Sequence, residues 1–423
     1  KMTIQQIIAV VIFIVTMTAI MTEKVHRTVA AMTGAILLLV TGILSLDTAI
    51  GYVDVNTLGV LVGMMLFVGI VKNSGIFEYI AIKAAKLAKG RPWPIMVAFI
   101  VITAVLSAFL DNVTTVLLVG PMTLAITKML NVNPIPYIMT QIMASNIGGT
   151  GTLIGDPPNI MIGSAADLGF GDFLLNTGMA SIIVLIISIL CYYVLYRKQL
   201  IVDEANIKKV MALDEKKSIV NPALMKKSIL MLCLVALGFI LHSQLHLESC
   251  YISLSAACIM LLIGKQDPEE IIATVEWSTI LFFIGLFVVV GGLEQVGIID
   301  SLAHGLVDIT GGNMLITMMA ILWIAAIVSA FLDNIPFVAT LIPLIITIGK
   351  TGMDITPLWW ALSLGACLGG NGTLIGASAN VVLSGISNKA GHKITFASYF
   401  KVGFPMMILS IIISSIFLLI RFA

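Results

Sequence analysis

One unusual pattern occurs twice in this chain: Phe109-Leu110-Asp111-Asn112 recurs as Phe331-Leu332-Asp333-Asn334, and Gly151-Thr152-Leu153-Ile154-Gly155 recurs as Gly372-Thr373-Leu374-Ile375-Gly376. Both copies sit in strongly apolar sequence. In hydrocarbon an ionisable side chain and an unwound helix are each costly, so a duplicated pair of them marks a place of function. The register between the copies is constant. Gly63, Gly69, Gly75, Asp111 and Pro121 match Gly285, Gly291, Gly297, Asp333 and Pro343, each 222 positions on. One residue is then lost, and Gly148, Gly151, Gly155 and Asn159 match Gly369, Gly372, Gly376 and Asn380 at 221. So many matches in one register identify an internal repeat.

The medium follows from composition. Of 423 residues, 59% are hydrophobic and 11% charged, against about a quarter charged in soluble domains. Apolar runs near the roughly 20 residues needed to cross a bilayer occur at Ile4–Met21, Val29–Leu46, Leu58–Val71, Ile229–Leu241, Ile252–Ile263, Ile280–Val290 and Met406–Ile420. The first lacks a basic start beyond Lys1 and a small-residue cleavage site, so it reads as a permanent span. These features define an all-α integral membrane protein.

Several function classes drop out. Cys191, Cys233, Cys250, Cys258 and Cys367 have no metal-ligand or disulfide-framework spacing. His26, His242, His246, His304 and His392 fall in loops or at span ends, so no metal site is expected. No Walker lysine loop is present, which argues against nucleotide hydrolysis within the chain. No nucleophile–base constellation suggests an enzyme, and neither a cofactor nor a nucleic-acid partner is expected. Energy for uphill movement has to come from an ion gradient or a separate ATPase subunit.

The repeat sets the organisation: a first half at 1–200, a charged linker at 201–225 and a second half at 226–423. With Arg197–Lys227 in the cytoplasm, the Glu23–Arg27 loop and Lys83, Lys86, Lys89, Arg91, Lys265, Lys389, Lys393 and Lys401 also fall inside. Lys1, Lys350 and Arg421 are left outside. Asp47, Asp54, Glu248, Glu294, Asp300 and Asp308 face outward, which is the positive-inside pattern. Both termini are then outside the cytoplasmic membrane, and the halves enter from opposite sides as inverted repeats. Phe77–Gly90, with Lys83, Lys86 and Lys89 between apolar positions, reads as a helix along the inner interface.

Within each half an apolar run leads to Asp-Asn and a second leaves it, over about 95–130 and 313–349. Each pair reads either as two full spans or as one re-entrant hairpin. Arg91 and Lys128 share a side only in the hairpin, which favours it. At its tip the outgoing half-helix offers unpaired N–H groups and the aspartate offers a charge. Glycine-rich sequence over about 137–168 and 357–388 reads as a broken helix in each half. Backbone unwound at membrane depth is tolerated only against protein or a cavity. Asp156 is either a cap for a half-helix begun at Pro157 or an ion carrier.

Two tips and two broken helices would enclose one polar chamber. Its candidate solute ligands are Asn112, Thr114, Thr115, Asn146, Gly149, Thr150, Thr152, Asn334, Cys367, Asn371 and Thr373. Asp111, Asp333 and Asp156 are the candidate carriers of a proton or cation. No Arg or Lys lies in these motifs, so a neutral polyhydroxy solute or a cation fits more easily than a multiply charged anion. Gly63, Gly69, Gly285 and Gly291 read as close helix packing.

These motifs resemble the ion transporter superfamily over nearly the whole chain, in particular the arsenite–antimonite efflux permeases, the D-type sodium/proton antiporters and the melanocyte P protein. Gly155-Asp156-Pro157-Pro158-Asn159 and the Leu-Asp-Asn tips carry the resemblance. The related dicarboxylate carriers have Ser-Asn-Thr at the tips, where this chain has Asp111-Asn112-Val113 and Asp333-Asn334-Ile335. The resemblance implies an elevator-type or rocking carrier, often a homodimer, that couples protons to efflux of arsenite or antimonite as neutral trihydroxides. A sodium/proton antiporter is the alternative. An anion carrier, or a channel subunit partnered with an ATPase, stands further behind.

Overall fold

The computed structural model describes residues 2–22 and 24–423; Lys1 and Glu23, assigned above to the outer side and an inner loop, lie outside the described residues. Among the described residues the chain is helical with no strand. The first half comprises α1 (Ile4–Thr22), α2 (Arg27–Val40), α3 (Leu46–Gly51), α4 (Val55–Lys72), α5 (Ile76–Leu87), α6 (Pro92–Leu110), α7 (Asn112–Leu130), α8 (Ile135–Thr150), α9 (Pro157–Ala166), α10 (Phe170–Phe173) and α11 (Met179–Tyr196). A short α12 (Glu204–Met211) follows. The same order then returns as α13 (Pro222–Leu241), α14 (Ser249–Gly264), α15 (Pro268–Ile272), α16 (Trp277–Gln295), α17 (Ile298–Ile309), α18 (Met314–Phe331), α19 (Asn334–Lys350), α20 (Thr356–Gly369), α21 (Ser378–Lys389) and α22 (Phe396–Phe422). Nine helices among the described residues are long and apolar enough to cross a membrane, and the chain is an all-α integral membrane protein.

Two departures from the sequence reading go beyond a shift of helix ends. The run Val29–Leu46 is divided, because Gly42 turns the chain at φ 73° and Ser45 Oγ accepts from Thr48 N at 3.2 Å to start α3. A helical stretch at Phe170–Gln199, absent from the expected spans, has mean hydropathy 2.4. It contains a π-helical turn at Leu174–Gly178, and hydropathy alone would have identified it.

Between apolar helices in a bilayer, attraction comes from close packing, which small residues permit. A side chain added at Gly63 on α4 would come within 2.6 Å of the Ser253 backbone on α14, and one at Gly285 on α16 within 2.6 Å of the Ala31 backbone on α2. These two contacts are the same contact with the halves exchanged, since 31 and 253 also differ by 222. Capping bonds follow suit: Thr28 Oγ1 donates to Ser278 O at 2.7 Å, and Cys250 N donates to Asn56 Oδ1 at 3.0 Å. The pairs α2/α16 and α4/α14 form the wall against which the motif-bearing helices stand.

The charged linker is docked onto the protein. Lys86 Nζ on α5 lies 2.7 Å from Glu215 Oε2 and donates to Leu213 O at 3.0 Å, while Val220 N donates to Ser74 O at 3.0 Å. The Lys86 ammonium holds the Glu215 carboxyl below its ordinary value.

Candidate functional site: a polar cavity at the hairpin tips

The two Asp-Asn tips break their helices differently. Between α6 and α7 only Asp111 is non-helical, at φ 90° and ψ 156°, a region that costs a non-glycine residue strain. Its carboxylate is held locally, with Oδ1 accepting from Thr114 N at 2.9 Å and Oδ2 from Thr114 Oγ1 at 2.6 Å. The counterpart of Thr114 is Pro336, which has neither N–H nor hydroxyl. Asp333 therefore accepts from Ile335 N at 3.2 Å and turns its other oxygen outward to Arg27. Arg27 Nη1 lies 3.1 Å from Asp333 Oδ2. The same nitrogen donates to Ser378 Oγ at 3.0 Å, and Nη2 donates to Thr279 Oγ1 at 3.2 Å.

Each broken helix is tied to its neighbouring hairpin by hydroxyls. Ser107 Oγ donates to Ser145 O at 2.6 Å and Ser329 Oγ to Ala366 O at 2.6 Å. Thr152 Oγ1 donates to Ala108 O and Thr373 Oγ1 to Ala330 O. The carbonyls freed by unwinding go to asparagines: Asn159 Nδ2 serves Gly149 O at 3.3 Å, Thr150 O at 3.1 Å and Thr152 O at 2.9 Å. Asn380 Nδ2 serves Gly370 O at 2.7 Å and Thr373 O at 2.9 Å. The unwound backbone is thus satisfied from within the protein.

The four motifs converge. Asn112 Nδ2 donates to Asn146 Oδ1 at 3.3 Å, and Asn146 Nδ2 donates at 2.8 Å to both Asn371 Oδ1 and Asn380 Oδ1. Asp156 occupies the N-cap position of α9, but its side chain makes no bond to that helix; its two carboxylate oxygens accept instead from Asn334 Nδ2 at 3.5 and 3.4 Å. Of the two readings of Asp156, its side chain does not act as the helix cap.

A cavity of about 140 Å³ opens at this junction. Of the candidates drawn from sequence, Asp111, Asn112, Thr114, Asp156 and Asn334 line it. Arg27, Lys72, Thr274, Glu276, Thr279 and Ser378 complete its polar lining. Two basic and three acidic side chains thus face one space. The expectation that no positive residue serves the motifs is corrected here: Arg27, placed in a loop from sequence, is the first residue of α2, and its side chain reaches the tip. A second space, a mainly apolar groove of about 670 Å³, lies on the far side of the Arg27–Asp333 pair, and Asp333 lines that groove.

The remaining candidates are buried in the walls. Thr152 and Thr373 spend their hydroxyls on the hairpins, and Thr150 Oγ1 donates to Asn146 O at 2.6 Å. Gly149 O and the Asn371 amide belong to the asparagine network. Cys367 Sγ points at Asn159 Oδ1, 3.6 Å away. Thr115 is fully buried and its hydroxyl has no partner. Asn159, Asn380 and Glu276 were legible as repeat counterparts, whereas Arg27 is matched by Ser249 and carried no such signal.

Helical spans enclosing broken helices and a charged internal cavity are the architecture of a membrane transporter. The family model described as citrate transporter (CitMHS) matches residues 17–365, and the chain belongs to that family. It is 41% identical over 428 residues to an uncharacterized transporter of Mycobacterium bovis, covering 98% of each chain. It is 32% identical to the P protein of Homo sapiens, over 94% of this chain and 58% of that one. The fold is similar to the YdaH transporter of Alcanivorax borkumensis, with TM-score 0.59 and 12% identity over 98% of this chain and 97% of that one.

Proposed function

We propose that this transporter is a proton-coupled secondary carrier built of two inverted repeats, 1–200 and 226–423. The pairs α2/α16 and α4/α14 act as scaffold, and the two hairpins with the two broken helices act as the moving part. The cavity supports this reading most strongly: Asp111, Asp156 and Glu276 outnumber Arg27 and Lys72, and Arg27 is engaged by Asp333. An acidic excess in low dielectric favours a proton or cation as one passenger and a solute of little negative charge as the other. Asp111 and Asp156 carry the proton, and Asp333, paired with Arg27, does not. Asn112, Thr114 and Asn334 are the solute's hydrogen-bond partners. Arsenite or antimonite, as trihydroxides, fits that description, with efflux across the cytoplasmic membrane as the direction of transport. Sodium/proton exchange would use the same carboxylates.

A second reading is carriage of a small carboxylate anion. Arg27 and Lys72 favour it, as does the citrate transporter description of the family. It requires Arg27 to leave Asp333 for the solute. Purified protein in vesicles, given arsenite, citrate or sodium on one side, separates these readings. Proton movement driven by arsenite supports the lead, by citrate the second reading, and by sodium alone cation exchange; movement driven by none overturns proton coupling.

A further inference from the structure

The scaffold pairs are related residue by residue at an offset of 222, as the contacts of Gly63 and Gly285 show. Arg27 accordingly has Ser249 as its counterpart, Thr279 has Thr57, Glu276 has Asp54, and Asp333 has Asp111. The contacts between scaffold and hairpins break this relation. Arg27 reaches Asp333 at 3.1 Å. Ser249 Oγ donates instead within the scaffold, to Asn56 Oδ1 at 3.2 Å, and Asp111 bonds to Thr114. Similarly α4 packs on α9 and α16 on α19, while the exchanged pairings, α16 with α21 and α4 with α7, have no comparable packing. The hairpin assembly is therefore displaced toward the Arg27 end of the scaffold. Two like halves offer it a second position of the same geometry with the halves exchanged.

We infer that the end of α14 at Ser249, with Asp54 and Thr57 at the start of α4, is a second docking place for the Asp111 tip. The difference between Arg27 and Ser249 then decides where the assembly rests. At one position the tip carboxylate meets a guanidinium that also holds Ser378 and Thr279 and stacks 5.0 Å over the Phe282 ring. At the other it meets a hydroxyl. Side chains of Arg27 and Asp333 are 29% and 18% exposed, so their attraction is only partly screened by water. The inference rests on the two-repeat carrier reading but needs no solute, which makes its failure distinguishable from a wrong substrate.

Val113 lines the present cavity, and its counterpart Ile335 lines it too, so position 113 faces the cavity in either position. The test places Val113→Cys in full-length protein with the accessible Cys191, Cys233 and Cys258 replaced by alanine, and uses a membrane-impermeant maleimide on oriented vesicles. With Arg27 and Ser249 in place, labelling comes from the side that carries Lys72. Arg27→Ser shifts labelling toward the opposite side by roughly three- to tenfold, the scale of one partly screened ion pair. Adding Ser249→Arg makes the opposite side dominant. Where the double variant does not fold, Arg27→Ser alone decides. Unchanged sidedness in folded Arg27→Ser overturns the inference.

Discussion

Asn146 in the first half hands its two amide hydrogens to Asn371 and Asn380 in the second, each at 2.8 Å. All three are buried, and the position that matches Asn146 is Leu368, so this pair of bonds has no counterpart with the halves exchanged. Asn371 Nδ2 in turn donates to Met143 O at 3.3 Å, so the asparagines tie the two unwound segments to each other. Asn146→Leu leaves two buried amide oxygens without donors, at a cost of about 1–3 kcal/mol each. A fall in the unfolding temperature of detergent-solubilised protein, together with loss of transport, is the expected outcome; undiminished stability would mean that the asparagine junction is incidental.

The duplicated aspartates differ in environment and should differ on substitution. Asp333→Asn strands the partly buried Arg27 guanidinium, which costs about 1–3 kcal/mol and shows as a lowered melting temperature. Asp111→Asn keeps its oxygen acceptor for Thr114 and weakens one capping interaction, worth about 0.5–2 kcal/mol when removed outright. The smaller stability loss should thus accompany Asp111→Asn, and paired thermal-shift measurements on the two variants check the order.

Gly63 and Gly285 make one contact in two places, so Gly63→Val and Gly285→Val should be damaging to a similar degree. Each forces apart two helix backbones, for which overpacking costs of about 1–3 kcal/mol are usual. Expression level and monodispersity on gel filtration report this directly. A variant that behaves like the unmodified protein would show that the backbone approach there is not needed.

Linker docking depends on pH with a definite sign. Because Lys86 lowers the folded-state value of Glu215, the stabilisation is complete above the ordinary glutamate range and is lost as pH falls through the lowered value. Limited proteolysis at residues 204–218 should accelerate in acid. Lys86→Met should bring the same sensitivity to neutral pH. Gly75→Ala should act likewise, since Gly75 has φ 84° and a side chain there would meet the Ser218 carbonyl.

Much of this architecture was written in the spacing of particular residues. Asp111 with Asp333, and Asn159 with Asn380, announced two tips and two broken helices, because chemistry that is costly in a bilayer is conspicuous when it recurs. The Gly63 and Gly285 packing was legible for the same reason. What stayed hidden was the asymmetry. Pro336 in place of Thr114 removes the local cap of Asp333 and frees it for a partner, yet that partner, Arg27, is far off in sequence and looks like an ordinary loop cation. Lys72 is equally plain in sequence, standing at the end of a span. Thr152 and Thr373, polar and duplicated, had every mark of solute ligands, but their hydroxyls are consumed by carbonyls of the adjacent hairpins. A polar residue at membrane depth has backbone as well as solute to satisfy, and spacing alone does not tell which.

Proton coupling through Asp111 and Asp156 is read from internal pH recorded in vesicles that hold the purified chain. Arsenite applied to one side should drive proton movement in the unmodified protein, and either Asp111→Asn or Asp156→Asn should abolish it while the folded protein is retained. Proton movement that survives both substitutions would show that neither carboxylate carries the coupled proton.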